Sequence, residues 1–269
     1  MSIDFEVIEK YKQSGQKEVY RINHQLFGEC IFKKGKCLSK TSLERIKREV
    51  NILSELDSKY FPKNYEFQLW PTGEFIMFEE YISSKTLTEC KADFKGDEKR
   101  VVSLMIEIID GLELIWKKKI VHRDLKPDNI LIKANEKPVI IDLGIARVLE
   151  DKSLTLTAHM NGPCTPIYAS PEQIDNKKNS IDIRSDFYSL AIIMAELILG
   201  EHPFSPAVVG QGMSTFENML HNKYRLEYEN IGLSEVTGNL VNKLLNREPF
   251  QRLRTVGLLK EYLNKCLER

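Results

Sequence analysis

The spacing of apolar positions changes several times along the chain, and each change marks an element. In the first 35 residues, "EVYRI" and "GECIFK" carry apolar or β-branched residues bounded by Gly, Asn and Lys, which predicts strands closed by polar turns. The segment "TSLERIKREVNILSEL" then shifts to helical spacing. Leu43, Ile46, Val50 and Leu53 fall on one face, and Thr41 with Glu44 forms a capping-box start. "EFIMFEEYI" at 74–82 is strand-like again. After a polar stretch, "EKRVVSLMIEIIDGLELIWKK" sets Val101, Met105, Ile108, Leu112 and Ile115 three or four residues apart, which predicts a long amphipathic helix. Two short strands follow, Ile130–Ile132 and Val139–Ile141, joined by the turn "KANEK". Helical patterns dominate from about residue 173. The apolar run Phe187–Leu199, interrupted by Ser189 and Glu196, is too short to cross a bilayer and predicts a buried core helix.

This order predicts an α+β fold with two lobes: a β-rich N-terminal lobe carrying one main helix, then a mainly helical C-terminal lobe. The N-lobe is expected over about residues 1–80, the hinge at about 80–86 and the C-lobe at about 87–269. Ligands tend to bind in clefts between such lobes, which directs attention to the hinge and to the polar segment 121–144.

Composition narrows the functional classes. Of 269 residues, 42% are apolar and 29% charged, which suits a globular chain, and Lys plus Arg balance Asp plus Glu at 39 each. No global field therefore steers the chain towards nucleic acid or anionic lipid. The basic run Lys117–Lys119 closes a helix, where the dipole favours cations, so it needs no nucleic-acid partner. The five cysteines (30, 37, 90, 164 and 266) form no CxxC pair and are odd in number, which argues against a disulfide framework or a zinc site and suits a reducing cytosol. None of the five histidines stands at metal-ligand spacing from another. The N-terminal "MSIDFEVIEKYK" lacks the apolar core of a signal peptide, so a cytoplasmic protein with no membrane partner is expected.

The densest chemistry lies in "VHRDLKPDNILIKANEKPVIIDLG", residues 121–144. Phosphoryl transfer from a nucleotide needs a carboxylate to accept the proton of the attacking hydroxyl, oxygen ligands for a divalent ion, and cations that offset phosphate charge. "HRDLKPDN" supplies the carboxylate of Asp124, the cation of Lys126 and the amide of Asn129, and Asp142 adds a second carboxylate at the end of the next strand. Magnesium takes one or two carboxylates together with phosphate oxygens, and this set provides them.

"HRDLKPDNILI" followed by "IIDLGIAR" closely resembles the catalytic and magnesium loops of the eukaryotic-type (Hanks-type) serine/threonine protein kinases. The resemblance implies a single kinase domain over 1–269 that uses ATP and magnesium (or manganese) to phosphorylate protein substrates. Asp124 resembles the catalytic base and Lys126 the lysine that contacts the transferred phosphate. Asn129 and Asp142 resemble the metal ligands. Lys126 with Pro127 is similar to the Ser/Thr-specific form of the loop, and Leu143 stands where Phe is usual. "CTPIYASPE" at 164–172 resembles the Gly-Thr-Pro-x-Tyr-x-Ala-Pro-Glu segment, with Cys164 for Gly and Ser170 for Ala. By that likeness Thr165 would bridge Asp124 and Lys126, Glu172 would pair with Arg252 of "REPFQRLR", and Asp186 would brace the HRD backbone.

In the N-lobe, Lys33 of "CIFK" resembles the strand lysine that holds the α- and β-phosphates, with Lys34 as the alternative register, and Glu49 resembles its helical partner. Val19 aligns with the Val that follows the glycine-rich loop. "FEEYI" resembles the hinge, where the Glu80 carbonyl and the Ile82 amide would meet adenine and Glu79 would be a polar gatekeeper that narrows the pocket. The glycine-rich loop departs from the pattern: Lys12, Ser14 and Lys17 stand where glycines belong, with Gly15 nearby, which weakens the expected amide contacts to phosphate. Residues 145–163 would form an activation loop carrying Ser153, Thr155 and Thr157. Arg123 marks kinases whose loop phosphate docks on a basic pocket, so autophosphorylation at Thr155 or Thr157 is expected. Two other functions share part of the pattern: a pseudokinase that binds without turnover, and a small-molecule phosphotransferase of the aminoglycoside type. A separate regulatory partner is also compatible with this reading.

Overall fold

The computed structural model describes residues 5–11, 17–36, 50, 54, 56, 58–143, 166–210, 212–221, 223–230 and 232–268. The chain divides into two compact units. The first takes residues up to Ser83 together with those from Val139 to Leu143, and the second takes Ser84–Pro138 and the described residues from Pro166 onward. The cut between Ser83 and Ser84 falls inside the 80–86 stretch, but the first unit is not contiguous in sequence, because the segment that begins at Val139 belongs to it.

The first unit is built on a five-stranded antiparallel sheet in the order β1-β2-β3-β5-β4. Its strands are β1 (Phe5–Lys10), β2 (Lys17–His24), β3 (Gly28–Lys36), β4 (Asn64–Leu69) and β5 (Glu74–Glu80). Gly28, at φ 66°, closes the turn between β2 and β3, a backbone state that glycine adopts without steric cost. Register assigns each face. Tyr20 lies opposite Phe32 and Phe32 opposite Phe78, so the even-numbered residues Ile22, Cys30, Phe32, Ile76 and Phe78 share one face and form a buried cluster with Phe5, Tyr20 and Phe27 against it. Each large apolar side chain buried there contributes roughly 1.5–3 kcal/mol. The opposite face carries Val19, Lys33, Met77 and Glu79. β4 has no counterpart in the sequence reading. It is an edge strand with no fully buried residue, so its apolar pattern is shallow.

The helix expected over 41–56 lies largely outside the described residues; within it, Val50 is helical and buried and Ser54 is helical and exposed. In the second unit, β6 (Lys85–Thr86) pairs antiparallel with β7 (Ile130–Ile132) and leads into α1 (Leu87–Phe94). Thr86 and Glu89 close a capping box at the start of α1. α2 (Glu98–Trp116) buries Val101, Met105, Ile108, Leu112 and Ile115, the stripe that the spacing predicts. α3 (Pro171–Ile174) precedes α4 (Ile183–Leu199), which buries all but a few of its residues and ends at Gly200 in the left-handed conformation. The remaining helices are α5 (Pro206–Val209), α6 (Thr215–His221), α7 (Glu235–Leu244) and α8 (Val256–Leu267). Strand β8 (Pro138–Ile140) starts one residue earlier than the sequence reading, with proline in the first position, where a strand tolerates it. No helix among the described residues is long and apolar enough to cross a membrane.

Candidate active site

In the first unit the chemistry gathers around one buried lysine. Alternation along β3 sends Lys33 to the Val19–Met77 face, where it is 7% exposed, whereas Lys34 points the other way, is exposed and approaches Glu18 at 3.4 Å. Lys33, then, is the lysine available for a buried task. Its ammonium lies 2.5 Å from Oε2 of Glu79 and 2.7 Å from Oδ1 of Asp142. Burial pushes the Lys33 amine down, but the Asp142 and Glu79 carboxylates outweigh it and hold the group above its ordinary value, so it is charged. Asp142 follows β8 with φ 57°, a left-handed conformation that aspartate adopts more readily than most non-glycine residues. Val19 sits directly across the ladder from Lys33. Glu80 ends β5: its N–H donates to the Lys63 carbonyl at 2.8 Å, and its carboxylate accepts from the Lys63 N–H at 3.1 Å. Ile82 lies just beyond the strand, partly buried.

In the second unit a loop after α2 carries Asp124, Lys126 and Asn129. Nδ2 of Asn129 donates to the Asp124 carbonyl at 2.8 Å and to its Oδ2 at 3.0 Å, and the Lys126 ammonium stands 3.3 Å from the same Oδ2. A 3-10 turn at Pro127–Asn129 sets this geometry and delivers the chain into β7. The loop is anchored from below by Asp186, which is fully buried in the first turn of α4. Its Oδ2 accepts from Trp116 Nε1 at 2.8 Å and from the His122 N–H at 2.9 Å, and its Oδ1 accepts from the Arg123 N–H at 2.9 Å. Burial pushes the Asp186 carboxyl above its ordinary value, against the pull of His122 and of these donors. The anchor holds Arg123 at φ 65°, immediately before Asp124. The Arg123 carbonyl accepts a further bond from Gln173 Nε2 at 2.8 Å.

The same unit holds a bidentate ion pair. Arg252 Nη1 and Nη2 meet Glu172 Oε1 and Oε2 at 2.7 and 2.8 Å, and Ser185 donates to Oε1 at 2.6 Å. Both side chains are at most 2% exposed. Burial pushes the Glu172 carboxyl up, but Arg252 more than offsets this and holds it below the ordinary carboxylate range.

A model of the protein kinase domain matches residues 17–263. The chain belongs to the protein kinase family. It is 30% identical over 213 residues to the SNF1-related protein kinase catalytic subunit alpha KIN12 of Arabidopsis thaliana, covering 78% of this chain and 40% of that protein. It is 32% identical over 187 residues to the serine/threonine-protein kinase PknB of Mycobacterium tuberculosis, covering 67% of this chain and 28% of that protein. Serine/threonine-protein kinase AtPK2/AtPK19 of Arabidopsis thaliana is 26% identical over 265 residues, covering 93% of this chain and 51% of the relative. The chain thus spans between 28% and 51% of the length of these curated relatives.

For this kinase-family chain, each unit brings together part of the site read from sequence: Lys33, Val19 and Asp142 in the first, Asp124, Lys126 and Asn129 in the second. Glu49, Thr165, the loop around Gly15 and the phosphorylation candidates Ser153, Thr155 and Thr157 lie outside the described residues. One pairing was missed. Glu79, read as a polar residue that narrows a pocket, is an ion-pair partner of Lys33. Its sequence signal is parity alone: once β3 and β5 are in register, Glu79 and Lys33 share a face. Each unit offers an oxygen donor of the kind that magnesium takes. Asp142 carries carboxylate oxygens, and because Asn129 commits its amide nitrogen to Asp124, its amide oxygen is the atom that could meet a cation. No cluster of three or more His, Cys, Asp or Glu side chains forms a separate cation cage among the described residues.

Proposed function

We propose that this chain is a serine/threonine protein kinase that transfers the γ-phosphoryl group of MgATP to a protein hydroxyl. The observation that carries the reading is the Asp124 carboxylate, oriented by Asn129, flanked by Lys126 and set on a backbone anchored by buried Asp186. Asp124 accepts the proton of the attacking Ser or Thr hydroxyl as that oxygen bonds to phosphorus and the bond to the ADP oxygen breaks. Lys126 offsets charge on the group in transfer, and Lys33 binds the phosphates that remain on the nucleotide. MgATP, when bound, supplies the phosphoryl group, and its metal offsets charge on the phosphate oxygens, with Asn129 and Asp142 as the protein ligands. Val19, Glu80 and Ile82 are assigned to the adenine side. The Ser/Thr preference is supported by Lys126 with Pro127 in the loop and by relatives named as serine/threonine kinases.

Cytoplasmic residence and control by a separate partner chain belong to the same reading. Free, buried Cys30, Cys90 and Cys266 suit a reducing compartment. Transfer of labelled phosphate from ATP by the wild type, reduced about 10²–10⁴-fold or more in Asp124→Asn, tests the assignment. Transfer that survives in the variant removes Asp124 from the mechanism. MgATP binding without any transfer by the wild type would establish the pseudokinase instead. Mass spectrometry after incubation with MgATP tests phosphorylation at Thr155, Thr157 or Ser153, and an unmodified loop in active protein discards that part.

A further inference from the structure

Glu79 is the one charged residue on its face of β5 within reach of Lys33, and packing alone does not explain it. Its same-face strand neighbours are Met77 and Phe75, its side chain is 18% exposed, and a carboxylate in such surroundings is costly unless paired. Lys33 pairs it at 2.5 Å. The ladder enforces the meeting. Lys33 lies opposite Met77 and Ile31 opposite Glu79, so Lys33 and Glu79 are diagonal neighbours on one face, within reach of two long side chains. Asp142 takes the same ammonium at 2.7 Å, which leaves two carboxylates on one cation.

These contacts differ in what holds them. The Lys33–Glu79 contact is carried by adjacent strands of one hydrogen-bonded sheet, whereas the Lys33–Asp142 contact reaches to a residue beyond the end of β8. A metal held by Asp142 would compete with Lys33 for its oxygens, whereas the strand-borne carboxylate of Glu79 would remain beside the ammonium. The family resemblance assigns such tethering to a helical glutamate, Glu49; here a second tether is built into the sheet itself.

We propose that Glu79 is a positioning residue for nucleotide binding, holding the Lys33 ammonium from the neighbouring strand so that it stays aimed at phosphate when Asp142 turns to the metal. The proposal rests on the kinase reading above. It implies that this chain's affinity for MgATP depends on a carboxylate at position 79, through Lys33 and through no other residue.

The test is calorimetric binding of MgATP to the full chain as wild type, Glu79→Gln, Glu79→Met, Glu79→Asp, Lys33→Met and the Lys33→Met/Glu79→Met double variant, with melting temperatures recorded without nucleotide. Glu79→Gln and Glu79→Met are expected to weaken MgATP binding about tenfold, Glu79→Asp to recover part of the loss, and Glu79→Met to change affinity less than about twofold once Lys33 is already Met. A purely structural role would lower the melting temperature of the Glu79 variants and leave the affinity of the folded protein unchanged; that outcome overturns the proposal. Equal losses with and without Lys33 would overturn it too. If Glu79→Met does not fold, the near-isosteric Glu79→Gln decides. A wild type that binds no MgATP would bring down the kinase reading, and this proposal with it, whereas wild-type binding matched by both Glu79 variants would bring down only the proposal.

Discussion

Replacing Glu172 by Gln exchanges one carboxylate oxygen for an amide N–H₂, and the structure indicates how much that costs. All five N–H bonds of Arg252 are in use: Nε to the Asn246 carbonyl at 2.8 Å, Nη1 to Glu172 at 2.7 Å and the Arg184 carbonyl at 2.9 Å, and Nη2 to Glu172 at 2.8 Å and the Arg247 carbonyl at 3.1 Å. The guanidinium cannot move towards water without abandoning three backbone carbonyls, so it stays buried when its counter-charge is removed. In either orientation the glutamine also turns its amide N–H₂ towards a guanidinium N–H of Arg252, setting donor against donor. Breaking a buried pair from one side costs about 3–5 kcal/mol, and at roughly 2–4 °C per kcal/mol for a chain of this size the melting temperature should fall by about 6–20 °C. Because the chain has two compact units, unfolding should be read from a probe inside the unit concerned. The chain's two tryptophans are Trp70 and Trp116, and a Trp70→Phe background leaves buried Trp116 to report on the second unit in urea. The Glu172→Met/Arg252→Met double variant removes the stranded cation but leaves three carbonyls short of a donor. It should remain destabilised, yet by about 2 kcal/mol less than the sum of its two single variants. A Glu172→Gln shift below about 1 kcal/mol, the range of a surface pair, would refute this reasoning, as would strict additivity in the double variant.

Three further outcomes are expected. The Glu172 carboxyl is held below its ordinary value of 4.5, so its stabilising contribution is complete above that pH and is lost as pH falls through the depressed folded value; urea midpoints measured from pH 7 downward should show the gap between wild type and Glu172→Gln closing in acid. A Cβ at Gly238 in α7 would overlap the Tyr228 ring, so Gly238→Ala should cost about 1–3 kcal/mol, whereas Gly257→Ala in α8, with open space around it, should be neutral or gain up to about 1 kcal/mol; equal effects on the urea midpoint would contradict the packing described here. Asp186→Asn sets an amide nitrogen against one of three N–H donors and should destabilise the second unit by roughly 1–3 kcal/mol while lowering the phosphorylation rate of the folded protein; an unchanged rate would show that the anchor does not govern the Asp124 loop.

Sequence alone determined whatever depends on near neighbours. The helical stripe of Val101, Met105, Ile108, Leu112 and Ile115 and the strand Ile130–Ile132 follow from spacing within a few residues, because local backbone geometry fixes which side chains share a face. The edge strand β4 escaped notice because a strand paired on one side only, and nowhere fully buried, writes a weak pattern. Sequence favoured Lys33 over Lys34, because the short apolar run ends directly in it; tertiary structure decided that Lys33 is buried and which carboxylates it meets. Those facts depend on the register of β2, β3 and β5, and a shift of one residue would exchange the two faces of the sheet. The extended backbone fixes which residues share a face, but only the pairing of distant strands brings Glu79 to Lys33, and only the path of the chain after β8 brings Asp142 to the same ammonium.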